Sequence, residues 1–132
     1  MNNVTTNSVK IRDQVIAYIE QTYSADPEHL WEKYPEYEVF RHSATDGKGK
    51  WFALIANVTY EQIGVDADDP AATIFVAVVK CDPELVQELR HEGGFAPAYH
   101  MNKHRWISIL LDGSAPMDAI EKRIDESFSL TA

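Results

Sequence analysis

The sequence predicts an α+β fold, a mainly antiparallel sheet with three helices in the order α-β-β-β-α-β-α. Three observations carry that expectation. Amphipathic stretches at helical spacing stand near both ends of the chain, and apolar runs of strand length lie between them. The link between the first two strands, Thr45-Asp46-Gly47-Lys48-Gly49, is rich in residues that tolerate positive φ and suits a hairpin.

Taken in order, residues 8–23 place Ile11, Val15, Tyr18, Ile19 and Thr22 on one helical face after a polar start at Asn7-Ser8. Asp26-Pro27 breaks that pattern, and the segment from Glu28 to Glu36 is too irregular to assign. Glu38 to Ser43 and Lys50 to Val58 read as a strand pair with a basic tip. Thr59 to Pro70 is a loop ending in Asp66-Ala67-Asp68-Asp69-Pro70, which lacks the ligand spacing and glycine of a calcium loop. Thr73 to Val79 is apolar at nearly every position, the mark of a strand covered on both faces. Asp82-Pro83-Glu84 opens a helix with Asp82 as cap, and Gly93-Gly94 are expected to end it. Trp106 to Leu111 alternates, with Ile107, Ile109 and Leu111 on one face and Trp106, Ser108 and Leu110 on the other. Met117, Ile120, Ile124 and Phe128 then form the apolar stripe of a last helix.

A chain of 132 residues is read as one domain, 1–132, with enough length for a core of its own. It has no signal-peptide pattern and no apolar run of the ~18 residues a membrane span needs, so a cytoplasmic protein without a membrane partner is expected. The single cysteine, Cys81, excludes an intrachain disulfide and fits a reducing compartment. A formal charge of −9 repels polyanions on average, but the acids are unevenly placed. From Gly93 to Leu111 there is no Asp or Glu, while His100, Lys103, His104 and Arg105 all fall there. Arg41, His42, Lys48 and Lys50 form a second basic cluster, diluted only by Asp46.

The densest stretch of polar chemistry is Tyr99-His100-Met101-Asn102-Lys103-His104-Arg105-Trp106, a loop behind Pro97 that feeds the apolar strand. His100 and His104 are four apart, but a proline precedes and a strand follows, so no metal site is assigned. Their side chains are expected to bond backbone groups and pin the loop to the sheet. Cys81 at a helix start is expected to be packed and inert, because Asp82 opposes the thiolate. No nucleophile elbow and no phosphate-cradling glycine loop is present, so no catalytic residue and no cofactor is assigned. Trp31, Trp51 and Trp106 could stack bases, yet each lies beside an apolar run, which favours the core or its edge.

The chain resembles the MmcQ/YjbR family of small bacterial proteins. The resemblance rests on Lys50-Trp51-Phe52-Ala53, Cys81-Asp82-Pro83-Glu84-Leu85, Pro97-Ala98-Tyr99-His100-Met101-Asn102-Lys103 with Trp106 behind, and Leu111-Asp112-Gly113. Ala98 and Arg105 stand where the family often shows Gly and His. The resemblance implies a double-wing fold similar to that of CyaY-like proteins, and DNA as a partner. The wings would be the turn from Thr45 to Gly49 and the loop from Tyr99 to Arg105, which are also the two basic clusters. Two non-enzymatic readings follow. In the first, Arg41, Lys48, Lys50, Lys103 and Arg105 contact DNA phosphates weakly and with strong salt sensitivity. In the second, Tyr99, His100, Asn102 and Trp106 line a protein or small-ligand site on a monomer or homodimer.

Overall fold

The computed structural model describes residues 5–43 and 49–132. The hairpin tip at 44–48, with Lys48, lies outside the described residues. Three helices are present among them: α1 (Thr6–Tyr23), α2 (Pro83–Leu89) and α3 (Met117–Leu130). The strands are β1 (Glu38–Arg41), β2 (Trp51–Thr59), β3 (Thr73–Lys80), β4 (Phe95–Pro97) and β5 (Trp106–Leu110). They form one antiparallel sheet in the order β1-β2-β3-β5-β4.

β3 lies inside this sheet, and all of its residues from Thr73 to Val79 are buried, as an apolar run covered on both faces requires. Phe40, Phe52, Ile55, Phe75, Ile107 and Ile109 point to one face. There they meet Val15 and Ile19 of α1 and Ile120 and Ile124 of α3. Val39, Leu54, Ala56, Val76, Val78 and Leu110 point to the other. No α-helix covers that second face among the described residues. It is closed by irregular segments carrying Trp31, Tyr37, Ile63, Tyr99 and Met101, and that difference positions the site described below.

Several elements depart from the sequence expectation. α1 starts at Thr6, because the Thr5 hydroxyl accepts the Ser8 N–H at 3.2 Å and caps the helix. Ser8 is then buried inside the first turn, where its Oγ accepts the Phe75 N–H at 2.8 Å and ties α1 to β3. α2 ends at Leu89 with Arg90 as its cap, earlier than Gly93-Gly94. Gly94 serves a close approach instead: at its φ of 93° a Cβ would stand 2.9 Å from the Ala115 side chain. Phe95 to Pro97, part of a stretch expected to be loop, pairs with β5 as an edge strand, the place where a proline without an N–H is tolerated. A short 3-10 turn, Glu61–Ile63, interrupts the loop after β2.

Candidate functional site

The antiparallel register brings the ends of several strands together. Arg41 lies opposite Trp51, Val79 opposite Ala53, Lys80 opposite Trp106 and Pro97 opposite Ile107. His42 and Lys50, next to β1 and β2, therefore lie at the same end of the sheet as the link 98–105. Three strand spacings of about 4.8 Å separate the β1–β2 pair from the β5–β4 pair by roughly 14 Å. Lys80 closes β3 between them, a cation hidden from sequence reasoning as the last residue of an apolar strand.

The cations assigned to phosphate contact differ in their freedom. Arg41 Nε donates to Glu28 Oε2 at 2.6 Å, bridging β1 to the segment whose Glu28 backbone pairs with Val39. Lys103 Nζ donates to the Ala98 carbonyl at 2.7 Å. Lys50 and Arg105 are exposed. Their carbonyls take part in the scaffold, accepting the His42 N–H at 2.9 Å and the Cys81 N–H at 2.8 Å respectively.

The loop itself is held more by polar bonds than by the histidine rings expected to pin it. Tyr99 N–H donates to the buried Ser108 Oγ at 3.0 Å, and the Tyr99 and Tyr37 hydroxyls meet at 3.0 Å. Asn102 Oδ1 accepts the His104 N–H at 2.9 Å, and its carbonyl accepts the Trp106 N–H at 3.0 Å. Trp106 is half-buried against the second face. His100 takes a left-handed backbone, φ 62°. That turn lays its ring 4.1 Å from Tyr99 and 6.0 Å from Tyr37, centroid to centroid.

Together these elements enclose a cavity of about 340 Å³ on the second face. Leu54 of β2 forms its floor, and Trp31, Tyr37, Trp51 and Met101 form its walls. Tyr34 and His100, both exposed, stand at its rim. Trp31 meets Trp51 at 5.7 Å with planes 83° apart, and Tyr37 at 5.8 Å with planes 74° apart. Tyr34 and Tyr37 stack at 4.7 Å, 12° apart. Burial first, and then the bond with Tyr99, push the Tyr37 phenol well above its ordinary value, so it stays a neutral donor or acceptor. The sequence held a trace of this pocket: Trp31, Tyr34 and Tyr37 recur every three residues through a segment with no regular structure. Nothing in the sequence placed Trp51 across from them.

Other chemical groups are bound into the scaffold. Cys81 is buried, which pushes its thiol up, with the Arg123 guanidinium pulling it partly back. Burial pushes Asp112 up as well, but bonds from Ser114 and Tyr60 outweigh it and hold the carboxyl below its ordinary range. A larger hollow of about 510 Å³ lies along α3, lined by Asp82, Lys122, Asp125, Glu126, Ser129 and Leu130. It is more open than the aromatic pocket and four of its six lining side chains are ionisable, so it is less suited to holding a small apolar ligand. Among the described residues, no group of three or more His, Cys, Asp or Glu side chains is placed to hold a metal ion. None of their helices is long and apolar enough to cross a membrane.

Comparison with known proteins agrees with this architecture. The chain is 37% identical over 120 residues to the uncharacterized protein YyaQ of Bacillus subtilis, spanning 91% of this chain and 97% of that one. A crystal structure of a Pseudomonas syringae protein, 44% identical, matches with a TM-score of 0.82 over 92% of this chain and 98% of the other. The Deinococcus radiodurans protein DR2400, with its DUF419 domain, is 25% identical and matches with a TM-score of 0.68 over 90% of this chain and 76% of its own. The YjbR family model matches residues 9–130, nearly the whole chain, and the chain belongs to the YjbR family.

Proposed function

We infer that this chain is a non-enzymatic binding module whose working site is the pocket between Trp31, Tyr37 and Trp51, closed by the loop from Tyr99 to Met101. One observation carries the reading. The loop is tied to the sheet by Ser108 and to the opposite wall by the Tyr37–Tyr99 hydroxyl pair, so the cavity is preformed. Its walls are mostly aromatic, with a few polar groups at the edge, the usual make-up of a small-ligand site. The polar groups of Tyr99, Asn102 and Lys103 serve to hold the loop in place, which supports binding over chemistry at those residues. The test is a set of small apolar and aromatic fragments titrated into labelled protein and followed by amide and indole NMR shifts. Shifts should concentrate at Trp31, Trp51, His100 and Met101. Shifts along α3 instead, or none at millimolar fragment, would defeat the reading.

A second reading is supported by the shared end of the sheet. Lys50, Lys80 and Arg105 lie there, beside the two loops that the family resemblance likens to wings. On this reading the end of the sheet makes weak contacts to DNA phosphates. The existing engagements of Arg41 with Glu28 and Lys103 with Ala98 leave it fewer free cations than the sequence offers. Fluorescence anisotropy with a labelled duplex at low salt tests it, charge reversal at Lys50 and Arg105 being expected to abolish the signal.

A further inference from the structure

We propose that the pocket takes a compact organic ammonium ion, a small molecule with an N-trimethyl or similar head group. This rests on the reading of the cavity as a ligand site and adds the chemistry of its occupant.

Shape is the first argument. A flat heterocycle needs two parallel rings with a gap between them. Here Trp31 stands nearly perpendicular to both Trp51 and Tyr37, at 83° and 74°, so the three rings form the walls of a corner. The one parallel pair, Tyr34 and Tyr37, is already in contact at 4.7 Å and leaves no slot. A corner of perpendicular faces suits a rounded group that touches several ring faces at once. Tryptophan is also the ring with the strongest attraction for a cation. A volume of about 340 Å³ is near the low end of ligand sites, again in favour of a small head group.

Charge is the second. Trp31, Tyr34, Tyr37, Trp51, Leu54 and Met101 carry no formal charge, so an anion would face the negative side of the rings, with His100 at the rim as the one lining group able to take a positive charge. The segment that supplies three of the rings carries Glu28, Glu32, Glu36 and Glu38 against Lys33 between positions 28 and 38, with Glu28 paired to Arg41 and Glu38 3.5 Å from His29. Lys50, next to Trp51, is a basic neighbour, and the chain as a whole carries −9. The charged neighbours are thus of both signs, and the preference for a cation over a neutral guest of the same shape rests on the ring faces.

The experiment compares choline with 3,3-dimethylbutan-1-ol, which has the same outline and no charge. Both are titrated into the full chain, read by the indole N–H shifts of Trp31 and Trp51. Choline is expected to bind roughly fivefold or more tightly than the alcohol, the factor that one cation–π contact provides. Trp51→Leu keeps apolar bulk on the wall and is expected to weaken choline more than the alcohol, so that the preference for the cation falls. Equal affinity for the two probes would overturn the ammonium proposal and leave the apolar pocket standing. Choline shifts unaffected by Trp51→Leu, in a protein whose remaining spectrum is unaltered, would overturn it as well. Binding of neither probe would do the same, and the fragment titration would then decide separately whether the cavity is a ligand site.

Discussion

His100 concentrates the local tension of the site. An L residue with φ 62° brings its Cβ too close to its own backbone, and that costs about 1–2 kcal/mol. The conformation persists because Tyr99 before it is held by Ser108 and Tyr37, while Asn102 and Lys103 after it hold the rest of the loop. Both His100→Gly and His100→Ala lose the ring. Only glycine also relieves the backbone, so His100→Gly should be more stable than His100→Ala by about 1 kcal/mol, read from urea midpoints. Equal midpoints would mean that the left-handed turn carries no strain. Lys103 teaches a related lesson. In sequence it is a cation in an acid-free window, but its ammonium donates to the Ala98 carbonyl, so its first duty is to close the loop on itself.

At the scale of elements, the sheet opens at the end that carries the site. The β2–β3 pairing runs from Thr59 opposite Thr73 to Ala53 opposite Val79. One step further, Ser127 of α3 inserts between the strands: its Oγ accepts the Lys80 N–H at 2.8 Å and donates to the Phe52 carbonyl at 2.6 Å. A helix hydroxyl thus takes the place of a ladder bond and fixes α3 against the sheet where Trp51 departs toward the pocket. Ser127→Ala leaves both backbone groups unpaired in a buried setting, a loss of about 2 kcal/mol. Chemical denaturation should record that loss, and amide exchange should quicken at Lys80 ahead of the centre of β3. A change below about 0.5 kcal/mol would show that the two strands close on each other without the serine.

For the whole molecule, the balance lies between an acidic body and one end of a sheet where cations collect. A charge of −9 opposes a polyanion on average, so the DNA reading assigns duplex contact to that end. Contact with about four phosphates gives a slope near −4 for log affinity against log salt. Raising salt from about 50 to about 200 mM should then weaken binding roughly two-hundredfold. A slope near zero, or affinity unchanged by charge reversal at Lys50 and Arg105, would remove the DNA reading without touching the pocket.

The amino-acid pattern alone determined the helices, the four longer strands and their faces, because burial on one or both sides writes itself into apolar spacing along the chain. The alternation from Trp106 to Leu111 and the solid apolar run from Thr73 to Val79 are clear cases. Family membership was legible because it rests on short runs of residues, Lys50 to Ala53, Cys81 to Leu85, Pro97 to Lys103 and Leu111 to Gly113, that can be read along the chain. The tertiary structure decided everything that depends on which segments cross. The Trp31–Trp51 corner joins rings twenty positions apart through a segment with no periodicity, and only the fold of that segment over the second face brings them together. Arg41's partner Glu28, the place of Lys80 among the basic loops and the insertion of Ser127 all arise from register between strands and from helix docking. Contacts of that range leave no spacing signal in one sequence.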